Sequence, residues 1–224
     1  MIKIFQAAAA AEVMTDRTCI FSNGTINFHF SIEDILCCRH CGFGCSGGRP
    51  EAALSTWVDF GIVSGGSYNS HKGCQPYKIP PCEHHVTGSR PNCTDLPTPA
   101  CHKTCEKSYP VSYNNDRRKG SKAYKVTKNE KDIKFEIITS GPVIAGFGVF
   151  DDFLHYKTGV YHHIFGDLRG GHAVKIIGWG TENNIPYWLV ANSWNYDWGD
   201  KGYFKILRGS NECGIEDMIF SGIP

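Results

Sequence analysis

Two clusters in the C-terminal third carry residue types suited to proton transfer. "GGHAVKIIGWG" places His172 at the head of a strand, behind two glycines that let other backbone approach closely, and "VANSWNYDWG" places Asn192 at the end of the next strand. Neighbouring strands would bring the two face to face. An imidazole used as a base needs a partner that fixes its tautomer and orientation, and an amide does this without adding charge. Trp194 and Trp198 stand close enough in sequence to shield such a hydrogen bond from water. Alone, the histidine would be read as structural and Asn-Ser-Trp as a strand end; the combination points to catalysis. Further upstream are "CSGG", with Gly47 and Gly48, and the adjacent pair His84 and His85, which could be a solvated loop or a metal pair and by default is read as a solvated loop.

The elements that must position these residues are legible. Ser31-Ile-Glu-Asp34 has the form of a capping box and predicts a short helix running into Cys37. Pro50 followed by "EAALSTWVDF" and stopped at Gly61 predicts another. The alanine-rich start, in which Ala10, Val13 and Met14 share a face, predicts a buried helix; a signal-peptide reading of "MIKIFQAAAAA" is the alternative. Between Ser64 and about Gly120 the chain is irregular and needs staples. A helix at about Glu130 to Thr139 precedes "VIAGFGVF", "HAVKIIGWG", "PYWLVANSW" and "GYFKILRG", which read as strands. Helices first and strands later predict an α+β fold of two lobes.

Composition narrows the function classes. The 224 residues carry a formal net charge of +1, with 23 Lys and Arg scattered along the chain, so neither nucleic acid nor a membrane surface is an expected partner. No apolar run approaches the ~20 residues of a bilayer span. Eleven cysteines favour an oxidising compartment, and the sequons at Asn23 and Asn92 agree, as glycosylation candidates. Cys38-x-x-Cys41 has zinc-ligand spacing but lacks a second pair, so no metal and no cofactor are expected.

The motifs "GGHAVKIIGWG", "PYWLVANSWNYDWGDKGYFKILRGSNECGI", "CSGGRP" and "IPPCEHHVTGSRPNC" resemble the papain family of cysteine peptidases, and within it the cathepsin-B-like group, from about Ala8 to Pro224. The resemblance implies one peptidase domain over 1–224. It would be papain-like, with a helical left lobe over about 7–120 that includes an occluding loop at 82–93, and a β-barrel right lobe over about 121–224. It implies a Cys-His-Asn constellation in a cleft, with His172 and Asn192 as two of its members.

Counted back from "EVMTDR", Phe5 falls where the nucleophilic cysteine belongs. Cys19, fourteen residues on, would lie roughly 21 Å away along a helix and cannot substitute. The resemblance therefore implies an N-terminally truncated chain, inactive as it stands, from a lysosomal or secreted endopeptidase and dipeptidyl carboxypeptidase. A non-catalytic homologue acting as a peptide-binding or decoy protein is the alternative.

The remaining roles also come from the resemblance. Gly47, Gly48, Gly171, Trp194 and Met218 would contact substrate, and His84 and His85 would bind its C-terminal carboxylate. Arg90 would pair with Asp197 to pin the loop, and His84, having lost its acidic anchor, would be the more exposed of the two loop residues. Bridges are expected at Cys37–Cys101, Cys38–Cys41, Cys74–Cys105 and Cys82–Cys93, with Cys19 and Cys45 left unpaired or mispaired because their family partners lie in the missing segment. Expected partners are peptide or protein substrates and cystatin-like inhibitors, for a monomer.

Overall fold

The computed structural model describes residues 5–38 and 41–224, Phe5 by its backbone alone. The signal-peptide reading of the first residues and the side chain at Phe5 fall outside that description. The chain forms two compact units. The first comprises the described residues of Met1–Pro81, with Thr94–Tyr124 and Ser221–Pro224; the second comprises Cys82–Cys93 and Lys125–Phe220.

In the first unit, helix α1 (Phe5–Phe21) is lined by Ala7, Ala9, Ala10, Ala11, Val13 and Met14, all buried. Small side chains on several faces let neighbours close around the helix, which is why it shows no single apolar stripe. Its Arg17 is 0% exposed and donates to Tyr124 Oη (3.2 Å) and to the Gly222 carbonyl (3.1 Å), so the guanidinium is buried with acceptors. Helix α2 (Ile32–Cys38) starts as the capping pattern predicts, with Asp34 N–H donating to Ser31 Oγ at 3.0 Å. The Asp34 carboxylate then accepts from Tyr113 Oη (2.6 Å) and the Val63 N–H (3.3 Å). Helix α3 (Pro50–Phe60) ends at Gly61, whose φ of +76° and closeness to the Arg118 carbonyl exclude a side chain.

Two bridges and a carboxylate order the irregular segment. Cys74 pairs with Cys105 and Cys38 with Cys101. This corrects the expected Cys37–Cys101 and Cys38–Cys41 pairs. Cys37 and Cys38 are consecutive on the last turn of α2 and so point about 100° apart. Cys38 is the buried one that meets Cys101, while the Cys37 thiol turns to Glu33 Oε1 one turn back (3.4 Å) and burial pushes its pKa up. With Cys38 engaged, the Cys41 sulfur lies 3.4 Å from Thr56 Oγ1. Farther along, helix α4 (Tyr113–Asp116) ends in Asp116. Its carboxylate accepts from Ser64 N–H (2.6 Å), Ser64 Oγ (2.7 Å) and Tyr109 Oη (2.6 Å).

Most strands belong to the second unit, where helix α5 (Glu130–Ser140) is capped by Asn129 accepting from Asp132 N–H at 2.8 Å. The strands are β1 (Lys122–Lys125), β2 (Val143–Phe150), β3 (Val160–Tyr161), β4 (Leu168–Glu182), β5 (Ile185–Ala191), β6 (Tyr203–Leu207) and β7 (Met218–Ile223), in the sheet order β1-β7-β2-β4-β5-β6-β3. Strand β7 is shared in sequence between the units: Met218 to Phe220 pair with β2, and the final residues belong with the first unit. Phe147, Phe153, Trp188, Trp198, Phe204 and Ile206 fill the core of the second unit. Among the described residues no helix is long and apolar enough to cross a membrane.

Removing the acceptor at Asp116 should strand three donors inside the first unit. Asp116→Ala is expected to lower stability by about 2 to 4 kcal/mol, with Asp116→Asn losing less. A shift in urea midpoint worth under about 0.5 kcal/mol, the range of an ordinary surface substitution, would show that the carboxylate does not hold this segment.

Candidate active site

Strand pairing brings the two C-terminal motifs together. His172 sits on β4 opposite Phe147 of β2, and β5 pairs antiparallel with β4 through Lys175 and Ala191, which leaves Asn192 just past the strand end beside His172. Asn192 is held there by its own N–H donating to the Gly202 carbonyl (2.9 Å).

The distance from His172 Nε2 to Asn192 Oδ1 is 2.8 Å. The same Oδ1 accepts from the Ser193 N–H at 2.8 Å, which fixes the orientation of the amide. An amide oxygen can only accept, so Nε2 carries the ring proton and Nδ1 holds the lone pair of the neutral imidazole. His172 is buried, at 5% exposure, and its pKa is lowered to about 4, mainly by burial. The Asn192 hydrogen bond opposes the shift, and the nearby His84 and His85 add to it.

A slab of aromatic rings surrounds the pair. The Trp194 indole stacks on His172 with centroids 4.9 Å apart and planes at 19°, and Trp198 meets Trp194 edge-on at 5.0 Å. Trp194 also meets His84 (6.3 Å, near-parallel) and His85 (4.8 Å, tilted). One buried indole therefore touches all three histidines.

The 82–93 loop belongs to this second unit, closed by the Cys82–Cys93 bridge. Arg90 pairs with Asp197, as expected from the resemblance. Sequence reasoning missed the third member, Glu83. Its buried carboxylate accepts from Arg90 Nη2 and from the Arg90 N–H, both at 2.8 Å, and packs so closely on Gly88 that an added Cβ there would fall 2.2 Å from Oε1. Asn195 was missed too. It adopts φ of +66° and donates from Nδ2 to the Cys82 carbonyl at 2.8 Å. An acid beside the paired histidines and an asparagine in a turn were the available signals. The expectation that His84 would be more exposed than Arg90 does not hold: both are half-buried, and His84 Nε2 lies 3.7 Å from Cys82 Sγ. Burial lowers the pKa of His84 to about 4 and that of His85 in the same direction.

The structure thus gathers His172, Asn192, Trp194, His84 and His85. Gly171 precedes His172 and pairs with Gly148. Met218 lies on β7 across from Gly146, its side chain covering that glycine and 47% exposed. Gly47 and Gly48 lie in the first unit. There Gly48 bridges to Gly42, and Gln6 Nε2 and the Cys41 carbonyl would stand 2.9 and 3.0 Å from an added Cβ. The sequon residues Asn23 and Asn92 are exposed.

The lowered pKa of His172 has a calculable consequence. The unfolded chain takes up this proton near pH 6.5 and the folded chain only near 4. The associated stability is therefore fully present above about pH 6.5 and is lost as pH falls toward about 4, up to roughly 3 kcal/mol. His172→Gln should flatten that part of the profile when urea midpoints at pH 7.5 and 4.5 are compared. A variant that loses as much stability as the parent over the same interval would contradict the assignment.

Comparison with known proteins agrees with this geometry. Residues 6–223 match the model of the papain family cysteine proteases. The chain is 50% identical over 220 residues to a cathepsin B-like cysteine proteinase of Schistosoma japonicum, covering 97% of this chain and 64% of that protein. It is 52% identical over 223 residues to cathepsin B-like cysteine proteinase 4 of Caenorhabditis elegans, covering 97% and 67%. It thus spans about two thirds of the length of these relatives. Among solved structures, procathepsin B S9 of Trypanosoma congolense superposes with a TM-score of 0.85 at 41% identity, covering all of this chain and 69% of that one. A digestive procathepsin L 3 of Tenebrio molitor shares the fold at 20% identity and a TM-score of 0.74. With its α+β fold and its histidine and asparagine joined on adjacent strands, the chain belongs to the papain family of cysteine proteases.

Proposed function

We propose that the chain carries the base and the substrate-orienting parts of a cathepsin B-like peptidase that acts both as an endopeptidase and as a dipeptidyl carboxypeptidase. The observation that carries this reading is the 2.8 Å contact from His172 Nε2 to Asn192 Oδ1, packed under Trp194. It holds the imidazole so that Nδ1 takes the proton of an attacking thiol. The thiolate adds to the scissile carbonyl, and His172 returns the proton to the leaving amine as the acyl-enzyme forms. Asn192 stabilises the imidazolium throughout, and water then releases the acyl group by the same route.

Specificity for a free C-terminus rests on the 82–93 loop. His84 and His85 would receive the substrate's terminal carboxylate, and the Arg90, Glu83 and Asp197 cluster keeps them in place. Met218, apolar and half exposed, would favour apolar over basic P2 side chains. Three disulfides and two exposed sequons, at Asn23 and Asn92, support a lysosomal or secreted setting. Peptide or protein substrates and cystatin-like inhibitors are the partners this reading implies.

By the count back from "EVMTDR", Phe5 would stand at the position of the nucleophile, so the 224 residues by themselves are expected not to turn over peptides. Fusing the nucleophile-bearing segment of the Schistosoma relative ahead of Gln6 should create activity. In that fusion His172→Ala should lower kcat by about 10³-fold or more. His85→Ala should reduce dipeptide release while sparing internal cleavage. Family-like turnover by the unfused chain, or indifference of the fusion to His172→Ala, would refute the reading. Saturable peptide binding by a fusion that never cleaves would favour the non-catalytic decoy instead.

A further inference from the structure

A second set of ligating atoms stands in the 82–93 loop and shares His84 with the pair read as receiving the substrate carboxylate. The sulfurs of Cys82 and Cys93 and one ring nitrogen of His84 all lie within 4.8 Å of one another, with Cys82 Sγ and His84 Nε2 at 3.7 Å. In a tetrahedral zinc site with Zn–S of about 2.3 Å and Zn–N of about 2.0 Å, ligand atoms are spaced by roughly 3.5 to 3.8 Å. The sulfur-to-nitrogen edge of such a site is already in place. The sulfur-to-sulfur edge is occupied by a covalent bond, and opening it to about 3.8 Å would complete the set.

The loop ends are also held together without the bridge. Glu83 N–H donates to the Pro91 carbonyl at 2.8 Å, the Glu83 carboxylate binds Arg90, and Asn195 holds the Cys82 carbonyl. Two thiols released here would stay close to each other, so the entropy of gathering the ligands is largely met by the fold. We propose that, once a thiol or phosphine reductant has opened the Cys82–Cys93 bridge, Cys82, His84 and Cys93 bind one Zn²⁺, with water as the fourth ligand.

The chemistry balances in two steps. The reductant supplies two electrons, and with two protons the S–S bond becomes two thiols while the reductant is oxidised. Each thiol then loses its proton and donates a sulfur lone pair to zinc, and His84 donates from Nε2 with its ring proton on Nδ1, so no further electron transfer occurs. The ion replaces the bridge as the closure of the loop, which makes the loop's metal occupancy depend on the redox state around it.

Metal titration of the chain tests this directly. The chain reduced with a water-soluble phosphine, then titrated with Co²⁺ as a spectroscopic stand-in, should bind one equivalent with thiolate-to-cobalt charge transfer and tetrahedral visible bands. Zn²⁺ should displace the cobalt. His84→Ala, which leaves every thiol in place, should weaken binding by about 100-fold or more. Cys82→Ser with Cys93→Ser should abolish it, and Cys74→Ser with Cys105→Ser should not. Equal binding by the oxidised chain would overturn the proposal, as would unchanged affinity in His84→Ala, the result expected if thiols scattered through an unfolded reduced chain were the ligands. These readouts do not involve peptide turnover, so they stand or fall separately from the peptidase assignment.

Discussion

A single oxygen, Oδ1 of Asn192, accepts from the Ser193 N–H and from His172 Nε2, and those two contacts decide the chemistry of the second unit. The backbone bond orients the amide, the oriented amide selects the imidazole tautomer, and the tautomer presents Nδ1 as the base. No charge is used in this chain of constraint. A carboxylate in the same place would raise the basicity of the ring further, whereas the neutral amide positions it and leaves burial to dominate, which is why the His172 pKa lies low.

The aromatic slab makes that arrangement durable. Trp194 is buried and meets both His172 and the rings of the loop histidines, with Trp198 braced edge-on against it and Trp198 Nε1 donating to the Leu154 carbonyl at 3.1 Å. Rings stacked in this way exclude water from the His172 to Asn192 bond. They also make loop and base neighbours, so a shift of His84 or His85 is felt by the surface on which His172 rests.

Much of this was legible in the sequence, for identifiable reasons. The cap at Ser31 and the stop at Gly61 depend on a local hydrogen bond and a local φ, which a short window contains. The pairing of His172 with Asn192 could be read because two strong strand patterns follow each other with a short turn. The disulfides around α2 show where such reading ends. Two consecutive cysteines offer identical local signals, and only the rotation of the helix relative to Cys101 decides which one bonds. Glu83 was hidden for a related reason: its partners Arg90 and Gly88 are near in sequence, but the turn that folds them over it has no strong signature of its own.

Arg17 gives the first unit an unusual order of assembly. Its acceptors include Tyr124 Oη, 107 positions away, and the Gly222 carbonyl, 205 positions away. A buried guanidinium that lacks any of its acceptors is costly, so these distant groups contribute to closing the surroundings of α1. On a ribosome, where synthesis runs from the N-terminal side, α1 is made well before Tyr124 and Gly222. The packing of α1 is completed only once the stretch around Gly222 has followed, so a change in that distant stretch would be registered at the helix.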